Sequence, residues 1–216
     1  MRGLIWLTIL SLVLAVVMAE SYNCLSDWLS PPWFAAATLH SLLASFVATY
    51  WWLHDRKVFT PGAWQSYLPA TFVLGASAAV ALLSRAFGGV TINAVSDSNT
   101  HPTWAAVIWV PLVEEFVFRA GIGAVYRRLS QPIWAAWFAA LVFALVHANP
   151  TWSNLVQGQV GLALGAFLLG LCCEYLMMKT GRILPCIAFH SACNATVMIF
   201  GILDKRWLDW LAPLYL

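Results

Sequence analysis

Three charged residues interrupt an apolar stretch that is otherwise suited to cross a membrane. The stretch runs from Trp104 to Tyr126, and its middle contains Glu114, Glu115 and Arg119. A charge at the bilayer centre costs at least about 2.5–3.5 kcal/mol, so these side chains are expected to face the protein interior. Glu115 and Arg119 stand at helical i,i+4 spacing, which predicts an ion pair. Glu114 points about 100° away around the helix, so we interpret it as the carboxylate left for chemistry.

Three further polar residues could meet Glu114 inside the membrane. His147 ends an apolar run, and His190 and Asn194 stand at i,i+4 spacing, which places them on one helix face. At a rise of about 1.5 Å per residue, all four lie at overlapping depths once helix tilt is allowed. Each of them alone is compatible with ordinary helix packing. Together they exceed what packing requires and predict one polar cavity.

The residue types in this cavity suit peptide hydrolysis without a nucleophilic serine or cysteine. A carboxylate in an apolar pocket is suited to act as a general base near neutral pH, and with His147 it could deprotonate a water. His190 and Asn194 could donate hydrogen bonds to the oxyanion of a tetrahedral intermediate. Two other polar residues receive structural interpretations. His40 is expected to bond a neighbouring helix, and Glu174 is expected to extend toward Lys179.

Composition places these residues in a polytopic all-α membrane protein. Of 216 residues 62% are hydrophobic and only 9% are charged, whereas soluble proteins average roughly 25% charged. The length favours a single membrane domain, 1–216. A net charge of +2 does not suggest a nucleic-acid partner. The five cysteines form neither a disulfide framework nor a Cys-x-x-Cys metal motif.

Apolar runs of the length that a membrane requires predict about seven transmembrane helices. The predicted spans are 3–19, 33–53, 67–84, 104–126, 132–149, 157–178 and 183–203. The first is interpreted as a retained anchor, with a cleaved signal peptide as the alternative.

Positive charges orient the predicted spans with the N-terminus in the cytoplasm and the C-terminus outside. The residues then cytoplasmic are Arg2, Arg56, Lys57, Arg127, Arg128, Lys179 and Arg182, and those outside are Arg85, Lys205 and Arg206. The segment 85–103 is interpreted as a polar connector. The tail Asp204–Leu216 is expected to lie in the outer interface as an amphipathic segment.

Three motifs over residues 104–200 resemble those of the CAAX-protease and bacteriocin-processing (CPBP, or Abi) family, which includes the type II CAAX prenyl endopeptidases. The motifs are Glu114-Glu115-x-x-x-Arg119, Phe143-x-x-x-His147 and His190-x-x-x-Asn194. Three motifs in order on successive spans are far more specific than one. Ala120 departs from the glycine that the family commonly has after the arginine, which is expected to affect helix packing only.

The resemblance implies an intramembrane endopeptidase whose catalytic core spans 104–200 and which needs no cofactor. It implies that Glu114 and His147 activate water, that His190 and Asn194 form the oxyanion hole, and that Glu115, Arg119 and Phe143 support them. The implied partner is a peptide or protein with a membrane-anchored segment, such as a CAAX-like tail, a leader peptide or a C-terminal anchor.

Three other functions stay open at this stage. Glu114, His147 and His190 could bind zinc in a metalloprotease, although no His-Glu-x-x-His motif is present. A bacteriocin-immunity or scaffold protein could bind a membrane peptide without cutting it. A proton-coupled transporter could use glutamate and histidine as a relay.

Location and sidedness follow from weaker signals. The compact size and the lack of an endoplasmic-reticulum retrieval signal favour the inner membrane of a bacterium. Glu114 and His147 lie nearer the outer boundary by helix rise, and the loop 150–156 is uncharged. We therefore expect water and substrate to enter from the outer side.

Overall fold

The computed structural model describes residues 2–26, 32–88, 105–148, 153, 156–157 and 163–202. Helices make up most of these ranges and no strand occurs in them, which confirms the all-α prediction. The predicted connector beyond Gly88, most of the loop 150–156 and the tail Asp204–Leu216 lie outside the described residues.

Seven helices over the described ranges correspond to the seven predicted spans. They are α1 (Arg2–Ser26), α2 (Pro32–His54), α3 (Leu68–Gly88), α4 (Ala105–Trp109, Val110–Glu115, Phe116–Gly123 and Ala124–Leu129 in unbroken succession), α5 (Pro132–His147), α6 (Leu164–Thr180) and α7 (Ile183–Ile202). Two short 3-10 turns, Arg56–Phe59 and Trp64–Tyr67, join α2 to α3.

By length and apolar composition alone, α1 is the one described helix that passes as a membrane span, over Gly3–Leu25. The helices Pro132–His147 and Ile183–Met198 are apolar but shorter.

Two helix boundaries differ from the sequence prediction by seven residues, more than any of the others. The first helix continues past residue 19 to Ser26, because a helix persists through polar residues wherever its backbone hydrogen bonds do. The sixth begins at Leu164 rather than 157, since Ala163 is extended with φ −71° and ψ 90°. Hydropathy marks apolar residues and does not mark where the backbone enters the helix.

The central helix of the bundle is α4, which contacts α2, α5, α6 and α7, while α1 lies at the edge against α2 and α5. Two helices approach closely at Gly170 of α6, where a Cβ atom would lie 3.0 Å from Ala140 Cα on α5. Small residues of this kind let backbones approach within a membrane bundle. The site residues are therefore held on tightly packed helices.

Two segments of α4, Ala105–Trp109 and Phe116–Gly123, have the wider turns of a π-helix. Switches between α and π pairing disturb the regular backbone ladder, and such segments are frequent at functional sites. Side chains donate to three carbonyls in these segments. Trp51 Nε1 bonds Ala120 O at 2.8 Å, Arg127 Nη2 bonds Arg119 O at 2.9 Å, and Asn194 Nδ2 bonds Ala106 O at 2.8 Å.

Basic residues of three helix connections lie together at one end of the bundle, which we call the basic end. Arg182, after α6, donates to Thr60 in the α2–α3 connection. Arg128, at the end of α4, donates to Tyr50 Oη at 3.3 Å. The connections α2–α3, α4–α5 and α6–α7 therefore lie together.

Candidate active site

Glu114 lies between the two histidines that the sequence predicted it would face. Its Oε1 is 3.9 Å from His147 Nε2, and its Oε2 is 3.8 Å from His190 Nε2. The residue is 8% exposed, and Oε2 is buried without a hydrogen-bond partner. These separations exceed a direct hydrogen bond and suit one bridging water. Glu114 Oε2 thus has no hydrogen-bond partner, and the catalytic role of this carboxylate stays a prediction.

His147 is oriented by its own helix. Its Nδ1 lies 2.8 Å from Phe143 O one turn earlier, so Nδ1–H donates to that carbonyl. In the neutral ring this leaves Nε2 as an acceptor, and Nε2 is the atom that faces Glu114. The side chain is 37% exposed because α5 ends at this residue, so solvent reaches the imidazole.

The predicted ion pair between Glu115 and Arg119 is confirmed. Arg119 Nε donates to Glu115 Oε2 at 3.0 Å, and both side chains are fully buried. The second oxygen, Oε1, accepts a hydrogen bond from His190 Nδ1 at 2.9 Å. Sequence reasoning missed this contact, because nothing in the spacing links Glu115 to a helix 75 residues away. With Nδ1 held by Glu115, His190 turns Nε2 toward Glu114.

Phe143, which the motif predicted as a supporting residue, packs at the centre of these groups. Its ring lies 4.4 Å from the His147 ring and 5.9 Å from the His190 ring, centroid to centroid. The Arg119 guanidinium carbon is 4.8 Å from the ring centroid, a cation–π distance. Phe118 packs edge-on against it at 4.9 Å. Phe143 thus separates the buried arginine from His147.

A cavity of about 810 Å³ joins four of the predicted catalytic residues. Its lining includes Glu114, His147, His190 and Asn194, together with Phe143. The other lining residues are Val73, Val110, Ala148, Ala163, Gly165, Ala166, Leu168, Leu169, Cys172, Phe189, Cys193, Thr196 and Val197. The wall is therefore mostly apolar, and the polar groups are a small part of it. Glu115 and Arg119 lie behind this wall.

Asn194 reaches the cavity with part of its hydrogen-bonding capacity already used. Its Nδ2 donates to Ala106 O at 2.8 Å, which fixes the amide orientation. An amide nitrogen carries two hydrogens, so one N–H stays available for a bound group.

The expectation that Glu174 extends toward Lys179 is wrong. Glu174 is fully buried, and its Oε2 accepts from Arg127 Nη1 at 2.6 Å. Its Oε1 lies 3.9 Å from Arg119 Nη1. Lys179 instead lies over the Tyr175 ring, with Nζ 5.7 Å from the centroid.

The other structural histidine, His40, packs its ring 6.3 Å from that of Phe118 on α4. This contact joins α2 to α4, and the predicted hydrogen bond of His40 to a neighbouring helix stays a prediction.

Over the part of the chain that the structure describes, no three or more His, Cys, Asp or Glu side chains form a group that could hold a metal ion.

Residues 97–196 match the family model described as type II CAAX prenyl endopeptidase Rce1-like. The match contains all three motifs and agrees with the resemblance that they carry. Members of this family are membrane-embedded proteases, so the predicted classes, hydrolase and membrane protein, are confirmed. No curated protein and no solved structure matches the chain.

Proposed function

We propose that this protein, which belongs through residues 97–196 to the type II CAAX prenyl endopeptidase Rce1-like family, is a glutamate-dependent intramembrane endopeptidase. The proposal treats 1–216 as one membrane domain with its catalytic core at 104–200. One observation carries it. Glu114 is a buried carboxylate without a hydrogen-bond partner for Oε2, and it stands between two histidine Nε2 atoms in one cavity.

The first step is the activation of a water bound between Glu114 Oε1 and His147 Nε2. A gap of 3.9 Å lets one water bond both atoms. Glu114 accepts a proton from the water as the oxygen attacks the carbonyl carbon of the scissile peptide. His147 orients the water through its Nε2 lone pair. Glu114 then returns the proton to the leaving amine, which completes the hydrolysis.

The second element is stabilisation of the oxyanion that forms on the attacked carbonyl. Asn194 supplies its remaining N–H, and His190 supplies Nε2–H when its ring is protonated. The Glu115 carboxylate accepts a hydrogen bond from Nδ1 at 2.9 Å and so fixes the orientation of the His190 ring. Arg119 in turn holds Glu115, so the buried pair supports the donor without touching the substrate. This sequence of steps contains no metal.

The substrate class follows from the cavity wall. Apolar side chains from α3, α6 and α7, such as Val73, Leu168 and Val197, surround the polar groups. Such a wall accepts the apolar part of a membrane-anchored peptide with its scissile bond near Glu114. A C-terminal anchor or a leader peptide fits a bacterial inner membrane better than a prenylated CAAX tail, because bacteria lack routine prenylation.

The decisive experiment compares the wild type with Glu114→Gln. Each purified protein is incubated with detergent-solubilised membrane proteins, with and without a zinc chelator, and new peptide termini are identified by mass spectrometry. The wild type should create termini that the Gln variant does not, and the chelator should not remove them. Equal termini from both proteins would refute the glutamate base. Loss of all termini with the chelator would favour the zinc alternative.

The cavity lining also supports entry from the outer side. It includes Ala148 and Ala163, which flank the end of α5 and the start of α6, opposite the basic end of the bundle. In a background without native cysteines, an impermeant thiol reagent applied to intact cells should label Ala148→Cys but not Ala188→Cys. Labelling of the second position alone, from the cytoplasmic side, would contradict outward opening.

A further inference from the structure

A row of alternating charges begins at the site and ends at the basic end of the bundle. We call Glu115, Arg119, Glu174 and Arg127 the charge row. Arg119 lies 3.0 Å from Glu115 and 3.9 Å from Glu174, and Arg127 lies 2.6 Å from Glu174. The first three side chains are fully buried, and Arg127 is 22% exposed. The resemblance accounts for the first two residues only.

Gly123 makes room for Glu174 in this row. Glu115, Arg119, Gly123 and Arg127 follow one another at intervals of four along α4, and Glu174 enters from α6 at the glycine. A Cβ atom at position 123 would overlap Glu174 Oε1 and would lie 2.9 Å from Arg127 Nη1. Any side chain at this position would therefore displace the carboxylate.

Arg119 depends on Glu174 for its second anionic neighbour. Its Nε bonds Glu115, whereas Nη1 and Nη2 are buried without a hydrogen-bond partner, as is Glu174 Oε1. The 3.9 Å between Nη1 and Oε1 is an ion-pair distance and admits a bridging water. Arg127 also donates to Arg119 O at 2.9 Å, so it holds the backbone of the same residue. Without Glu174, no carboxylate would separate Arg119 from Arg127. Glu115 would then be the one carboxylate left in the charge row.

We propose that Glu174 and Arg127 are positioning residues for the catalytic machinery. They hold Arg119, Arg119 holds Glu115, and Glu115 holds Nδ1 of His190, so that Nε2 stays directed at the reacting carbonyl. This inference rests on the proposed function, and neither residue touches the substrate. It assigns a role to two charged residues and a glycine that the three motifs leave out.

The test replaces Glu174 by Gln and Arg127 by Gln and measures turnover of the substrate found with the Glu114 experiment. Partners that orient metal-binding histidines contribute on the order of 10–100-fold to activity, and we take the same order for partners that orient His190. We expect kcat to fall by roughly that factor at unchanged KM, per mole of folded protein. Arg128→Gln and Lys179→Gln are matched controls, since both side chains are neighbouring, cationic and exposed, and they should keep full kcat.

Gly123→Ala tests the same arrangement by adding a methyl group that displaces the Glu174 carboxylate, without removing a charge. It should lower kcat as Glu174→Gln does, whereas Gly75→Ala, where a Cβ atom meets nothing within 4 Å, should not. If the Gln variants do not fold, Glu174→Asp and Arg127→Lys keep the charges and should show a smaller loss of kcat.

A readout independent of activity separates this inference from the proposed function. The Nδ1–H proton of His190, identified by its loss in His190→Gln, should resonate far downfield because of its bond to Glu115. Glu174→Gln should move it upfield. Lower folded yield with unchanged kcat and an unchanged resonance would reduce Glu174 and Arg127 to fold support. Full cleavage by Glu114→Gln would instead refute the catalytic proposal and leave the resonance test standing.

Discussion

Glu114 and Glu115 are adjacent in sequence but lie in two regions with opposite hydrogen-bonding states. Glu115 bonds Arg119 and His190 with its two oxygens and is fully buried. Glu114 lies in the cavity wall with Oε2 unpartnered, 3.8 Å from His190. A carboxylate whose two oxygens both accept hydrogen bonds from the protein stabilises the fold. A carboxylate with an oxygen left without a partner can bind a water or a substrate. The difference between neighbours shows how one helix serves both purposes.

The largest effect is expected from breaking the buried ion pair between Glu115 and Arg119. Glu115→Ala and Arg119→Ala each strand a buried charge, which costs on the order of 3–5 kcal/mol of stability. Folded yield and activity should fall together. The double variant should lose less than the sum of the two single losses, because one ion pair accounts for both. The measurement is unfolding in detergent, and additive losses would mean that the residues are energetically independent.

A change on the cavity side should remove activity and leave the fold intact. His147→Ala should lower kcat by roughly 10²–10⁴-fold, the usual contribution of a general acid–base group. Stability should change little, since the hydrogen bond described for the His147 side chain lies within its own helix. His54→Ala is a close control, because His54 Nδ1 makes the same contact to Tyr50 O at 2.8 Å at the end of α2. An equal fall in kcat in both variants would mean that the loss comes from disturbing a helix end and not from removing a catalytic group.

The smallest effect is expected at the hydrogen bond that joins α2 to α4, next to the buried ion pair. Trp51→Phe removes the donor to Ala120 O and should cost about 1 kcal/mol, the net value of one hydrogen bond. The variant should melt at lower temperature and keep its kcat. Trp52→Phe, at a residue that is 52% exposed, is the control and should change the melting temperature less. A fall in kcat without a fall in melting temperature would contradict this separation.

Sequence reasoning predicted what helix periodicity controls. The Glu115–Arg119 pair follows from i,i+4 spacing, and the approach of His147 and His190 to Glu114 follows from depth within the membrane. It failed for Glu174, because Lys179 was near in sequence whereas Arg127 lies on another helix. The partner of a buried charge depends on interhelical packing, here on the space at Gly123. The π segments of α4 also left no signal in hydropathy, which reports composition and not backbone pairing.

The space at Gly123 has a consequence for how this chain tolerates sequence drift. A side chain at position 123 would force the Glu174 carboxylate to move, because its Cβ atom would overlap Oε1. Position 123 therefore cannot gain a side chain while the Glu174 carboxylate keeps its place. Homologues are expected to couple them, with a glycine at the first wherever an acidic residue occupies the second, and a small neutral residue at the second wherever the first has gained a side chain. The two positions are thus expected to vary together, although 51 residues separate them.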